Sequence, residues 1–146
     1  MKAKKILIMG LSTSGKTTLA QSLVFLLEKS GKTVEWFDAD IVRNLHQDWD
    51  FSEVGRLRQA HRMANSANQS SCDYVVVDFI APLMEMRRIF NADYTIFMDT
   101  IKESKYNDTD KIFEKPSNPN VVVTSKNADG WAELICKDLL SKYSRV

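Results

Sequence analysis

The sequence has little cysteine: two in 146 residues, Cys72 and Cys136. Two do not make the disulfide framework of a small secreted domain, so both are expected as free thiols in a reducing compartment. Cys136 falls in an apolar stretch and reads as core, and Cys72 precedes an expected strand. An excess of one charge is also missing. Lys+Arg is 20 against Asp+Glu 19, a net charge of +1, which leaves no footprint for a nucleic acid or an anionic membrane. Any anion must be gripped by a local site. No segment approaches the roughly 18 apolar residues of a membrane span. The basic start, Met1-Lys2-Ala3-Lys4-Lys5, resembles the opening of a secretion signal, but the apolar run behind it, Ile6 to Met9, is too short to continue one. A cytoplasmic protein without nucleic-acid or membrane partners is the expectation.

What is present alternates. There is no internal repeat, low-complexity tract or linker, and residues 1–146 are expected to form one domain. Ile6–Met9 reads as a short buried strand. Leucines at 19, 23, 26 and 27 give Lys16–Lys29 a helical spacing, with Gly31 placed to close the helix. Thr33–Phe37 is β-branched and aromatic, a second strand. Ser52 can cap a helix running to about Ser70, with Leu57, Ala60, Ala64 and Ala67 as an apolar stripe and Arg56, Gln59 and Arg62 on another face. That polar face by itself reads as solvated. Tyr74–Val77 has the near-continuous apolar character of a central parallel strand. Pro82 can occupy the first turn of a helix through Phe90. Tyr94–Met98 and Val121–Val123 are the fourth and fifth strands. Trp131, Leu134, Ile135, Leu139 and Tyr143 give a last helix one apolar face. Strands alternating with helices predict an α/β fold, a parallel sheet covered on both sides. Residues 99–120 are polar and weakly periodic, too long for an ordinary connection, and are the candidate for a mobile lid.

Gly10-Leu-Ser-Thr-Ser-Gly15-Lys16-Thr17 fits G-x-x-x-x-G-K-[ST] in full, with a strand before it and an amphipathic helix after it. Glycines permit the turn and the close approach of backbone to phosphate. The amides of Thr13 to Thr17 can converge at a helix N-terminus, where positive partial charge gathers. Lys16 adds a full charge for the β- and γ-phosphates, and the Thr17 hydroxyl can ligate magnesium. Gly10, Ser12, Thr13, Ser14, Gly15, Lys16, Thr17 and Thr18 are therefore the candidate contacts for ATP with Mg2+.

Three expected strands end in aspartate: Asp38 with Asp40, Asp78, and Asp99. Ligands bind at strand C-termini in open α/β sheets. The apolar run ending at Asp78 best fits a metal-organising carboxylate beside Thr17. Asp38 and Asp40 can share a metal-bound water or accept the proton of an attacking hydroxyl. Thr17, Asp38 and Asp78 are the metal candidates, and Lys16, Asp38 and Asp40 the catalytic ones. His46 and His61 have no partners at readable spacing and read as surface. Lys126-Asn127-Ala128-Asp129 has the first pair of the guanine-reading Asn-Lys-x-Asp motif reversed, which argues against a GTPase.

Taken together, Gly10–Thr18, Asp38-Ala39-Asp40, Arg43, Phe51-Ser52 and the Arg56-Gln59-Arg62 helix resemble the adenylylsulfate (APS) kinase family. Phe79-Ile80-Ala81-Pro82 resembles that family's Phe-Ile-Ser-Pro segment, and Phe113-Glu114-Lys115-Pro116 with Pro119 its late Tyr-Glu-x-Pro…Pro stretch. The resemblance implies a P-loop fold with five parallel strands in order 2-3-1-4-5 and helices on both faces. It implies ATP-dependent phosphorylation of the 3′-hydroxyl of APS, a step of sulfate assimilation, and often a homodimer. Arg43 and Arg56 would hold the phosphosulfate, Phe51 would stack on the adenine, Ile80 would contact it through backbone, Gln59 would stand for the family's Asn, and Asp40 would join the substrate contacts. Asp38 would orient or deprotonate the hydroxyl.

The chain also departs from the family. Asp99–Phe113 lacks the Arg-Asp-Pro-Lys-Gly-Leu-Tyr and Phe-Thr-Gly motifs of the family's lid, with its arginine near the ATP base. The second aromatic to sandwich APS would have to come from Tyr106 or Phe113. Two alternatives stand beside APS: another small hydroxyl acceptor, or a nucleotide-binding module without chemistry.

Overall fold

The computed structural model describes residues 2–143; Met1 of the basic start and the last three residues of the expected domain lie outside them. The elements alternate as β1 (Lys4–Gly10), α1 (Lys16–Lys29), β2 (Val34–Asp38), α2 (Ala39–His46), α3 (Glu53–Asn68), β3 (Tyr74–Asp78), α4 (Met84–Phe90), β4 (Tyr94–Met98), α5 (Asn107–Ile112), β5 (Val121–Val123) and α6 (Ala128–Lys142). The sheet is wholly parallel, in the order β2-β3-β1-β4-β5.

Strand alternation divides the core. Ile6 and Ile8 of β1 face α1 and α6, packing with Leu19, Leu23, Leu27, Ile135 and Leu139, while Leu7 and Met9 face α3 and α4 with Ala60, Met63, Met86 and Phe90. Both faces are covered, so β1 and β3 are almost continuously apolar. Leu23 is fully buried; cutting it to alanine is expected to cost about 2–5 kcal/mol. Helix α1 closes with Gly31 N–H on the Glu28 carbonyl and Lys32 N–H on that of Leu27, the paired bonds of a glycine-terminated helix. Among the described residues no helix is long and apolar enough to cross a membrane.

Four local expectations are revised. Residues 39–46 form a helix that the sequence pattern did not suggest, with Asp38 as its N-cap accepting from Ile41 N–H. Pro82 precedes the first turn of α4 rather than occupying it, because Leu83 is still extended (φ −101°, ψ 138°). Leu134 points outward, 57% exposed, while Ala132 and Cys136 take the inner face of α6. Arg56 and Gln59 do not lie on a solvated face: they are 5% and 0% exposed.

Candidate active site

The sheet delivers its chemistry at the C-terminal edge. β1 runs into the phosphate loop, and β3 and β2 run beside it to end in register at Asp78 and Asp38. The loop needs its glycine at position 10. The φ there is 152°, and a Cβ would lie 2.9 Å from the Met98 carbonyl and Ser14 Oγ. Thr13 takes a left-handed φ of 65°, which turns the following amides toward the start of α1. Among the described residues Ser14 Oγ is buried without a hydrogen-bond partner. Lys16 Nζ donates to the Leu11 carbonyl at 2.9 Å. Burial holds this ammonium below its usual range, opposed by Asp78, Asp40 and Asp38. Three carboxylates thus converge on the one cation of the loop.

Thr17 Oγ1 lies 3.3 Å from Asp38 Oδ2 and 3.5 Å from Asp78 Oδ1. Asp78 is 3% exposed. Its carboxyl is pushed up to about 8, first by burial and then by the adjoining Asp38. A hydroxyl flanked by two carboxylates fits Mg2+, which uses one or two carboxylates and takes its other oxygens from phosphate and water. Among the described residues no group of three or more His, Cys, Asp or Glu could hold a metal.

A cavity of about 430 Å³ opens over the loop, lined by Ser12 to Thr18, Asp38, Asp40, Asp78, Ile80, Ser125, Lys126 and others. Ile80 comes to its wall where Ala81 takes a left-handed φ of 47°. The expected acceptor residues divide: Asp40 and Ile80 line this cavity, whereas Phe51 and Arg56 line another of about 420 Å³ with Asp108, Ile112 and Glu114. Arg43 and Gln59 are buried beside them. Arg43 Nη1 donates to the carbonyls of Asp48 (2.9 Å) and Asp50 (3.2 Å), and Arg56 Nε to that of Phe51 (2.8 Å). Both guanidiniums lie against the Phe51 ring, 4.4 and 5.4 Å from its centroid. Gln59 Nε2 donates to the Ala39 carbonyl at 2.9 Å, tying α3 to the start of α2.

The loop between α2 and α3 is held by Asp48, which takes Arg58 Nε at 2.8 Å and Arg62 Nη2 at 2.5 Å. Those bonds hold its carboxyl well below the usual carboxylate range. The loop also sits tightly on Gly55, where a Cβ would come within 2.2 Å of the Asp50 carbonyl oxygen.

Residues 99–120 contain α5 and bind beside Arg56 and Pro82. Arg56 Nη2 donates to the Thr109 hydroxyl at 3.1 Å, and Glu114 N–H to the Pro82 carbonyl at 2.8 Å. Phe113 stacks on Phe97 at 6.0 Å and does not line the cavity that holds Phe51, while Tyr106 is exposed. At the other end Thr100 Oγ1 donates to the Ser14 carbonyl at 2.6 Å. Sequence reasoning missed Thr100, Ser125 and Lys126, whose Nζ reaches the Thr13 carbonyl at 3.2 Å. Ser125 and Lys126 follow the end of β5, and the rule that ligands gather at strand C-termini points to them. Trp36 and Thr109 had no sequence signal.

The comparisons agree with this geometry. A family model described as adenylylsulphate kinase matches residues 2–106. A bifunctional enzyme NodQ from a Rhizobium species is 34% identical over 116 residues, covering 73% of this chain and 18% of the relative. An adenylyl-sulfate kinase from Chloroflexus aurantiacus is 40% identical over 81 residues, covering 53% of this chain and 44% of the relative. The chain therefore spans less than half the length of these curated relatives. A solved mutant APS kinase from Mycobacterium tuberculosis superposes with a TM-score of 0.77 at 27% identity, over 96% of this chain and 98% of that one.

Proposed function

The chain belongs to the adenylylsulfate kinase family, and from that premise we propose that it transfers the γ-phosphoryl group of ATP to the 3′-hydroxyl of APS, giving 3′-phospho-APS and ADP. The observation that carries this reading is the meeting of Thr17 with Asp38 and Asp78 at the mouth of the phosphate loop, in the cavity that Asp40 and Ile80 also line. Transfer needs few covalent roles from the protein and depends mainly on positioning and electrostatics.

The 3′-oxygen attacks the γ-phosphorus, the bond from that phosphorus to the β–γ bridging oxygen breaks, and the hydroxyl proton passes to the Asp38 carboxylate. Asp38 is held for this by its own helix cap, with Oδ1 accepting Ile41 N–H at 3.1 Å. Lys16 exchanges the Leu11 carbonyl for a phosphate oxygen, and the amides of Thr13 to Thr17 cradle the phosphates. Mg2+, held by Thr17 with Asp38 or Asp78, would neutralise charge on the β- and γ-phosphate oxygens. Asp40 lies on the wall between nucleotide and acceptor. Arg43, Arg56 and Phe51 receive the acceptor, with Gln59 fixing α3 behind them.

Residues 1–146 act in this reading as one kinase unit with 99–120 as its lid, in the cytoplasm, where Cys72 and Cys136 remain the free thiols they are here. The net charge of +1 favours small-molecule partners over nucleic acid or membrane, and a homodimer is expected from the family. A second reading has one observation in its favour. Both acceptor arginines are already bonded to protein oxygens, which suits an acceptor smaller or less anionic than APS. Purified protein with Mg-ATP and a panel of hydroxyl acceptors separates the two: 3′-phospho-APS and ADP in equal amounts support the proposal, and ADP formed only with another acceptor replaces it.

A further inference from the structure

Trp36 lies in the middle of β2 on the same sheet face as Asp38, two residues on. Its indole Nε1 donates to Asp78 Oδ2 at 2.7 Å, across to the neighbouring strand. The other oxygen of that carboxylate, Oδ1, is the one facing the Thr17 hydroxyl. The carboxylate is 3% exposed, whereas Trp36 is 36% exposed.

An aspartate's last torsion is soft, with no sharp preferred angle. A buried carboxylate flanked by Asp38 has reason to rotate away. An indole N–H opposes this: it donates but does not accept, and it carries no charge. It can therefore satisfy one oxygen of Asp78 without bringing a cation that would compete with a metal. With Oδ2 occupied, the carboxylate plane is set and Oδ1 is left toward Thr17.

We propose that Trp36 is a positioning residue for the metal side of the nucleotide site, holding the Asp78 carboxylate so that one oxygen is presented beside Thr17. This rests on the P-loop nucleotide reading and not on the identity of the acceptor. Groups that orient a metal-binding side chain commonly contribute about 10- to 100-fold in metal affinity.

The test uses ADP and Mg2+ alone, so failure of APS transfer has no bearing on it. Calorimetry compares ADP binding with and without Mg2+ in the wild type and in Trp36→Phe, which keeps an aromatic ring and removes the N–H. The expected result is unchanged metal-free ADP binding and a loss of about tenfold in the tightening that Mg2+ produces. Equal weakening with and without the metal indicates a merely structural role and overturns the proposal, as does an undiminished Mg2+ effect. A second measurement keeps Trp36 in place, in a Trp49→Phe/Trp131→Phe protein where it is the one remaining indole. Adding Mg2+ to the ADP complex should change its emission. No change there, with metal-dependent ADP binding intact, also overturns the proposal, whether or not Trp36→Phe folds.

Discussion

On the phosphate side of the cleft, Lys16 rests on the neutral carbonyl of Leu11, an acceptor that a phosphate oxygen readily replaces. On the acceptor side, Arg43 and Arg56 hold the carbonyls of Asp48, Asp50 and Phe51 and the hydroxyl of Thr109. The first arrangement is poised to exchange its partner for a ligand. The second spends its cations on its own loop and on α5. Lys16 gives up one bond to a protein oxygen, whereas Arg43 and Arg56 each hold two, so an anionic acceptor must win or share guanidiniums already engaged. A guanidinium has five N–H groups. Those of Arg43 and Arg56 outside these bonds are the ones an anionic acceptor could use. Nucleotide binding should therefore resemble that of the wider kinase fold, and acceptor binding should be the weak and particular half.

The harshest way to break the comparison is at Lys16. Lys16→Ala removes the full charge from the phosphate loop and should lower turnover by about 1,000-fold or more, with a sharp loss of ATP affinity. Turnover near wild type in a coupled ADP-release assay would remove the catalytic reading. Asp38→Asn comes next, at about 100-fold in turnover with circular dichroism unchanged. If Asp78→Asn proves crippling and Asp38→Asn mild, the β3 carboxylate is the metal organiser and proton acceptance by Asp38 is wrong.

The acceptor side is sharpened by smaller effects. Thr109→Val keeps the shape of a residue that is 7% exposed and releases one N–H of Arg56. APS should then bind about fivefold tighter, the worth of one ordinary hydrogen bond, with ATP affinity unmoved. Tighter ATP and APS together would mean that α5 covers both sites.

The smallest effect is on stability. In the metal-free protein the Asp78 carboxyl is pushed up to about 8 from 3.8. The folded state then holds a proton that the unfolded chain has released. Stability from this group is full below the unfolded value, and falls as pH rises toward 8. Asp78→Asn removes the buried charge and leaves an oxygen for Trp36. Thermal melting at pH 8 without Mg2+ should show the variant melting above wild type, and the gap should narrow toward pH 4. A gap that is the same at both pH values would contradict the assignment.

The two sides also differed in how legible they were. The phosphate loop is contiguous, and its shape lies in backbone geometry within nine positions, so the turn at Gly10–Thr18 could be expected from the motif alone. β4 and β5 were bounded from their apolar runs alone, and α1 from its leucine spacing. The strand order came from the family resemblance, since no periodicity encodes which strands are neighbours. The acceptor side depends on distant segments meeting. Arg56 and Gln59 have the spacing of a solvated face, and only the packing of α2, α5 and the loop between α2 and α3 buries them. Helix α2 was hidden because Asp38 was read for its chemistry, while it also serves as the helix cap. Trp36 looks like any strand aromatic until β3 brings Asp78 within reach of its N–H.

The contrast between the two sides is tested most directly by calorimetry with a non-hydrolysable ATP analogue, Mg2+ and APS, on the wild type and on Arg56→Ala. The nucleotide should bind both proteins alike. APS should bind the wild type measurably, but roughly 10- to 100-fold more weakly than it binds relatives that stack both faces of its adenine, and binding should be lost in Arg56→Ala. Intact nucleotide binding with no APS binding at millimolar concentration would contradict the account and assign the cleft to a different hydroxyl acceptor.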